Sequence, residues 1–479
     1  MTEHFDLLIR GAVVIDGTGA PATIAEVGVR DGRIAAVGDL SGASADALAE
    51  AEGLALAPGF IDAHAHDDAA VLDDPAMTPK VSQGVTTTVV GNCGTSLAPL
   101  DLDRDPPAPL TLLGGRKSFR FPRFADYRAE VEAHPPAVNV VALVGHTALR
   151  VATMDNLDRP ARDGEIAAMQ DLLAEALAAG AAGLSTGLAY PPAKAAPTEE
   201  VIALCRTVAA AGALHTTHMR DETSGVVESV EETIRIARET GVRTVISHHK
   251  CCGRENAGLV ARTLPRIEAA RRDLAIDLDV YPYAASSTAL LPEFIARSNR
   301  VLVTWSDREP EAAGRDLSDL MEERGWSVAD ALRELSPAGA VYFQMEEEDV
   351  ERVLAFPPSL IGSDGLPHDQ RPHPRLWGTF PRVLGHYARE RRLFSLEQAV
   401  HKMTGATAAV FGLSNRGAIR PGAAADLVLF DPERVIDTAT YDHPARPAVG
   451  IERVWVAGRP VWGEDGATGE RPGRFLARV

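Results

Sequence analysis

Near its start the chain carries GFIDAHAHDD (Gly59 to Asp68), in which two histidines sit one residue apart at the end of an apolar run. Side chains two apart on an extended strand point to the same face, so His64 and His66 can reach one cation together. Further along, Cys93 stands in VVGNCGTS, His218 in HTTHMRDE, His248 in ISHHK and Asp364 in GSDG. Imidazoles, a thiol and a carboxylate make a borderline-soft donor set suited to zinc. A cation so held acidifies water and polarises a carbonyl. Each residue alone has a plainer explanation, a core histidine for His218 or a turn residue for Asp364. Cys205, on a helical stretch, reads as a small buried hydrophobe. Cys251 and Cys252, beside the ISHHK run, are reserve ligands.

Such a site requires a scaffold that gathers distant segments. FIDAHAH, TTTVVGN, NVVALVGH, AGLSTGL, LHTTHMR, TVISHHK, AIDLDVYPY and SLIGSD read as strands. Helical stretches separate them, among them GEIAAMQDLLAEALAAG, stopped by Gly180, and TEEVIALCRTVAAAG, with Thr198 as its expected N-cap. That alternation predicts an α/β fold, a (β/α)8 TIM-like barrel whose chemistry gathers at the C-terminal ends of its strands. The alternative is a doubly wound open sheet, but no GxGxxG follows the first strand. In ISHHK, strand alternation puts Ile246, His248 and Lys250 on one face and His249 on the other. His248 is therefore the expected ligand.

Both chain ends change to apolar-polar alternation around turn dipeptides, as in FDLLIRGAVVIDG and IERVWVAGRPVW. They predict a small β-sandwich built from residues 1–57 and 415–479, with the barrel spanning 58–414. An insertion at about 286–339, after the seventh strand, is expected to form a lid or pocket wall.

Composition narrows the partners. Among 479 residues, 48 basic against 67 acidic side chains give a net charge of −19. That argues against nucleic acid and anionic membranes as partners. The four cysteines form no disulfide framework by spacing, and the N-terminus shows no signal-peptide pattern. A cytoplasmic setting is expected.

Taken together, the paired histidines, the later histidines and the late aspartate resemble the metal-dependent amidohydrolase superfamily. Members that bind two metals commonly bridge them with a carboxylated lysine. Cys93 in its place, together with GNCGTSLAPL, THMRDE, DVYPYAASST and GSDGLPHDQRPHPRLWGTFPRVLG, is similar to the D-aminoacylase (N-acyl-D-amino-acid deacylase) branch. The resemblance implies one tightly bound zinc on Cys93, His218 and His248. It also implies a weaker second position on His64 and His66, with Asp364 beside the water as proton shuttle. Lys250, Tyr281, Ser287 and Arg375 would recognise the substrate's carboxylate, and Tyr190 would complete the pocket. The apolar Leu290, Leu291, Phe294 and Ile295 point to hydrophobic D-residues, although Arg297 lies close in sequence. Deacylation of acidic D-residues, a hydantoinase-like cyclic amidase and a non-catalytic metal-binding scaffold are the rival readings.

Overall fold

The computed structural model describes residues 3–478. Eight short parallel segments follow one another round a ring: Phe60–Asp62, Val85–Val90, Asn139–Ala142 continued by Val144–Gly145, Gly183–Gly187, Leu214–His218, Arg243–Ile246, Ile276–Val280 and Ser359–Ile361. Each pairs with the next, and Ala63 N–H donates to Ile361 O at 3.1 Å while Ala65 bridges Gly365 in parallel, which closes the circle. These strands are buried on both faces because helices cover the outside and side chains fill the inside. Ala63, Val89, Val141, Leu143, Ala182, Leu214, Val245 and Leu360 pack together as the interior plug. All eight strands expected from the sequence are present.

The covering helices follow their patterns. Asp163–Ala178 buries Met169, Leu173, Ala176 and Leu177 on one side, and Gly180, at φ 101°, turns the chain back. A fully buried leucine such as Leu173 contributes about 2–3 kcal/mol relative to an exposed one. Thr198 departs from expectation: it is the first helical residue of Thr198–Ala210, after Pro197, and its hydroxyl donates to Glu232 Oε1 at 2.8 Å instead of capping.

Both chain ends join one nine-stranded sheet. Leu427–Phe430 pairs antiparallel with Ala55–Pro58, which runs parallel to the end of the long strand His4–Val14. Leu7, Ile9, Val27, Val29, Leu427, Leu429 and Trp455 give this layer a core of its own. After the seventh ring strand comes the inserted unit, a three-stranded antiparallel sheet of Ala285–Ala289, Ala338–Phe343 and Arg300–Ser306 with helices Leu317–Arg324 and Val328–Leu335. It runs from Ala285 to Phe343. Among the described residues, no helix is long and apolar enough to cross a membrane.

Candidate metal centre

The site begins where the ring strands stop. Cys93, His248 and Asp364 lie two to three residues beyond their strands, all with left-handed backbone (φ 53°, 35° and 49°). Non-glycine residues seldom adopt this conformation and cluster at functional sites when they do. Strand alternation therefore does not govern ISHHK, since the strand ends at Ile246. The turn at His248 aims its ring inward, whereas His249 Nε2 lies 2.8 Å from Thr263 Oγ1. Glycines make the Cys93 turn possible. A Cβ on Gly187 would sit 2.1 Å from the Cys93 carbonyl oxygen.

Six sequence-selected side chains meet above the ring. Cys93 Sγ lies 3.2 Å from both His64 Nε2 and His248 Nε2, and His66 Nε2 lies 3.1 Å from Asp364 Oδ1. Their donor atoms form two groups, His64–His66–Cys93–Asp364 and Cys93–His218–His248, each within 4.8 Å and sharing the thiol. All are buried. Burial alone would push the Cys93 thiol up, but His64 and His248 outweigh it and hold the sulfur well below its usual value, as thiolate. Burial would likewise lower His66 and His248, yet Asp364 and Cys93 carry the first, and Cys93 and Glu222 the second, up to about 9. Without a cation these imidazoles hold protons, and a metal competes for the same electron pairs. Neither ring nitrogen of buried His218 closes a hydrogen bond, nor does Nδ1 of His66. Orphaned imidazoles beside a thiolate fit a metal such as zinc.

Residues that sequence reasoning missed hold the imidazoles in place. Asp279, on the seventh strand, sets Oδ2 3.3 Å from His64 Nδ1 and accepts from the His248 backbone N–H at 2.8 Å. Glu222 sets Oε1 3.1 Å from His248 Nδ1 and accepts from Lys250 Nζ at 2.7 Å. Lys80, fully buried, donates to Asp62 Oδ2 at 2.6 Å and ties the first strand to Ser363, two residues past the eighth, at 2.9 Å. Only Glu222 left a signal, a carboxylate four residues after a strand-end histidine.

The residues expected to meet substrate lie alongside. Arg375, fully buried at the start of helix Arg375–Arg382, places Nη1 2.9 Å from Asp364 Oδ2 and donates from Nη2 to Ser287 O at 3.0 Å. Its guanidinium stands 4.5 Å from the centre of the Tyr281 ring. Lys250 Nζ is 2.9 Å from His248 Nδ1, and Tyr190 Oη is 3.0 Å from Thr288 Oγ1. One small cavity is lined by Tyr190, His218, Lys250, Ser287, Phe294 and Asp364. Of the expected apolar wall, Phe294 lines this cavity, Leu290 is buried in the same cluster, and Leu291 and Ile295 pack against it. Arg297 is held by two residues of that cavity's lining: Nε donates to Gln344 Oε1 at 2.9 Å and its guanidinium stacks 4.1 Å from the Phe294 ring centre. Cys205, Cys251 and Cys252 are buried free thiols, each pushed upward by burial, and none joins the donor groups.

Comparison with known proteins agrees with this geometry. An amidohydrolase family model matches residues 48–329 and 350–462. The chain is 56% identical to a D-aminoacylase of Alcaligenes xylosoxydans xylosoxydans over 478 residues, covering 100% of this chain and 99% of that one. A solved D-aminoacylase whose binuclear centre shows one-metal activation and second-metal attenuation superposes with a TM-score of 0.97 at 55% identity, covering 99% and 100% of the two chains. An N-acyl-D-glutamate deacylase from Bordetella bronchiseptica, solved with zinc and a phosphonate mimic of the tetrahedral intermediate, superposes at 0.96 with 47% identity and the same coverage.

Proposed function

The chain belongs to the amidohydrolase family, and from that membership we propose that it is a zinc-dependent hydrolase of N-acyl-D-amino acids, releasing a carboxylate and the free D-amino acid. The observation that carries this reading is one buried thiolate shared by two donor groups, with Lys250 and Ser287 opening into the same cavity. Zinc, when held by Cys93, His218 and His248 with a second position at His64, His66 and Asp364, supplies Lewis acidity toward water and the scissile carbonyl.

The protein's own groups do the rest. Glu222 and Asp279 fix the ring orientations of His248 and His64. Burial would raise the Asp364 carboxyl, but Arg375 and His64 hold it well below the usual carboxylate range, so it is ionised at neutral pH. Oδ1 of Asp364 accepts the water's proton and returns it to the departing nitrogen, which leaves poorly as an anion. Lys250 and Arg375 bind the substrate's α-carboxylate, with the hydroxyls of Tyr281 and Ser287 beside them and Tyr190 closing the pocket. With the carboxylate clamped and the carbonyl at the donor cluster, only one hand of the α-carbon sends its side chain toward Phe294. Because Arg297 is engaged by Gln344 and packed on Phe294, we assign an apolar side-chain preference. Four buried free cysteines and no disulfide among the described residues are in keeping with a cytoplasmic location.

Purified protein assayed on both enantiomers of N-acetyl-leucine and on hydantoins, with zinc measured in the same preparation, tests the reading. We expect D-selective deacylation proportional to zinc. Turnover of hydantoins in preference would replace it with a cyclic amidase.

A further inference from the structure

Beyond the metal centre, one buried polar cluster centres on a carboxyl that none of the chemistry above uses. Asp369 sits midway in the loop that begins at Asp364 and ends at Arg375. Both carboxyl oxygens are buried and close no hydrogen bond, as are Thr304 Oγ1, Trp305 Nε1 and Arg375 Nε. Thr304, Trp305 and Ser287, with the Arg375 guanidinium, oppose the effect of burial on that carboxyl without closing a hydrogen bond to it, and the Ser287 hydroxyl donates to the Ala340 carbonyl at 3.3 Å; burial lifts the acid to about 7.

The inserted sheet is shaped to make this cluster. In strand Arg300–Ser306 the register slips between Val303 and Trp305, so Thr304 is an extra residue. Such a bulge re-aims side chains that would otherwise alternate between faces. Opposite it stands Gly339, where a Cβ would lie 2.3 Å from Trp305 Nε1 and 2.7 Å from Thr304 Oγ1. Consecutive side chains thus share one face over a residue that has none. The bulge also leaves the Thr304 carbonyl to accept from Arg371 N–H at 2.9 Å, which docks the same loop. From the other side, the Ser287 carbonyl accepts from Arg375 Nη2 at 3.0 Å. The inserted sheet therefore holds the middle of the loop and its far end at once.

We propose that Asp369 is a positioning residue: it seats the 364–375 loop on the bulged strand through Thr304 and Trp305, and so sets where Arg375 presents its guanidinium to the substrate's carboxylate. The proposal rests on the deacylase reading and extends it, making the insertion part of carboxylate recognition. Its requirement is an oxygen acceptor for hydroxyl and indole donors, which an amide oxygen also supplies.

The test is a double-mutant cycle on N-acetyl-D-leucine, with zinc content and Tm measured for every variant. D369A should raise KM at least tenfold with kcat within threefold and zinc unchanged, and D369N should restore KM to within threefold of wild type. In an R375A background, D369A should change kcat/KM by less than threefold, because two residues acting through one contact do not add. Equal losses in both backgrounds, or wild-type KM in D369A, would overturn the proposal. A fall in Tm with kcat and KM lost together in both D369A and D369N would reduce Asp369 to a structural role. A wild-type enzyme inactive on N-acetyl-D-leucine would instead defeat the function reading itself.

Discussion

Replacing Cys93 by alanine removes the one donor common to both groups. His218 and His248 are then left alone on one side, and His64, His66 and Asp364 on the other. Changing a group that merely orients a ligand costs roughly 10–100-fold in metal affinity, so loss of a ligand should cost about 100-fold or more, or about 2.8 kcal/mol. If free zinc is buffered about tenfold above the wild-type Kd, mass action loads about nine-tenths of the wild type and about one-tenth of the variant. Cys205→Ala is the matched control. That thiol is fully buried on helix Thr198–Ala210 and touches neither donor group, so its removal costs about 1 kcal/mol of packing and leaves loading unchanged. Chelator-buffered dialysis followed by metal analysis, with kcat/KM on the same samples, reads both. If Cys93→Ala stays more than half loaded and active at that zinc level, the shared thiolate is not a ligand.

Asp364→Asn keeps the shape of the side chain but cannot take a proton, so kcat should fall roughly 10²–10⁴-fold while zinc stays on Cys93, His218 and His248; a fall below tenfold in steady-state assays would remove Asp364 from proton transfer. Asp279→Ala frees both the His64 ring and the His248 backbone and should weaken zinc binding roughly 10–100-fold, with unchanged loading in a chelator titration counting against it. Gly187→Ala puts a methyl 2.1 Å from the Cys93 carbonyl and should lose zinc without touching a ligand, whereas Gly164→Ala, which meets nothing within 4 Å, should keep it; equal zinc in both would refute the close-approach argument. N-acetyl-D-leucine should exceed N-acetyl-D-glutamate in kcat/KM, and a clear advantage for glutamate would mean that Arg297 leaves Gln344 to meet the substrate.

The ring was legible in the sequence because buried parallel strands leave short apolar runs bounded by turns, as TTTVVGN and SLIGSD show. The ligands were legible because histidine, cysteine and aspartate at the ends of such runs are chemically conspicuous. Their supports were not. Asp279 lies inside a strand that reads as ordinary alternation, and its partner His64 is 215 residues away. Lys80 looks like a surface lysine until Asp62 and Ser363 close around it. Thr198 satisfied every local criterion for a cap, yet a tertiary acceptor, Glu232, claimed its hydroxyl. Local pattern names the donors. Partnerships across the ring decide how they are held.

The left-handed residues explain why the ring and the metal centre cannot be separated. A side chain leaving a strand points inward or outward but not upward along the axis, so a ligand above the ring needs the chain to turn sharply just past the strand. Each such turn costs about 1–3 kcal/mol unless its surroundings over-determine it. Those surroundings come from other strands. His248 N–H is held at 2.8 Å by Asp279 of the seventh strand, and Asp364 N–H at 2.7 Å by the His64 carbonyl beyond the first. The Cys93 turn is held by Ser185 of the fourth, whose Oγ accepts from Gly94 N–H at 3.0 Å and donates to the Gly91 carbonyl. Every strained ligand is thus fixed by a strand other than its own. The paired histidines alone are only two imidazoles just past a strand, and they become half of a metal site when the eighth strand closes against the first.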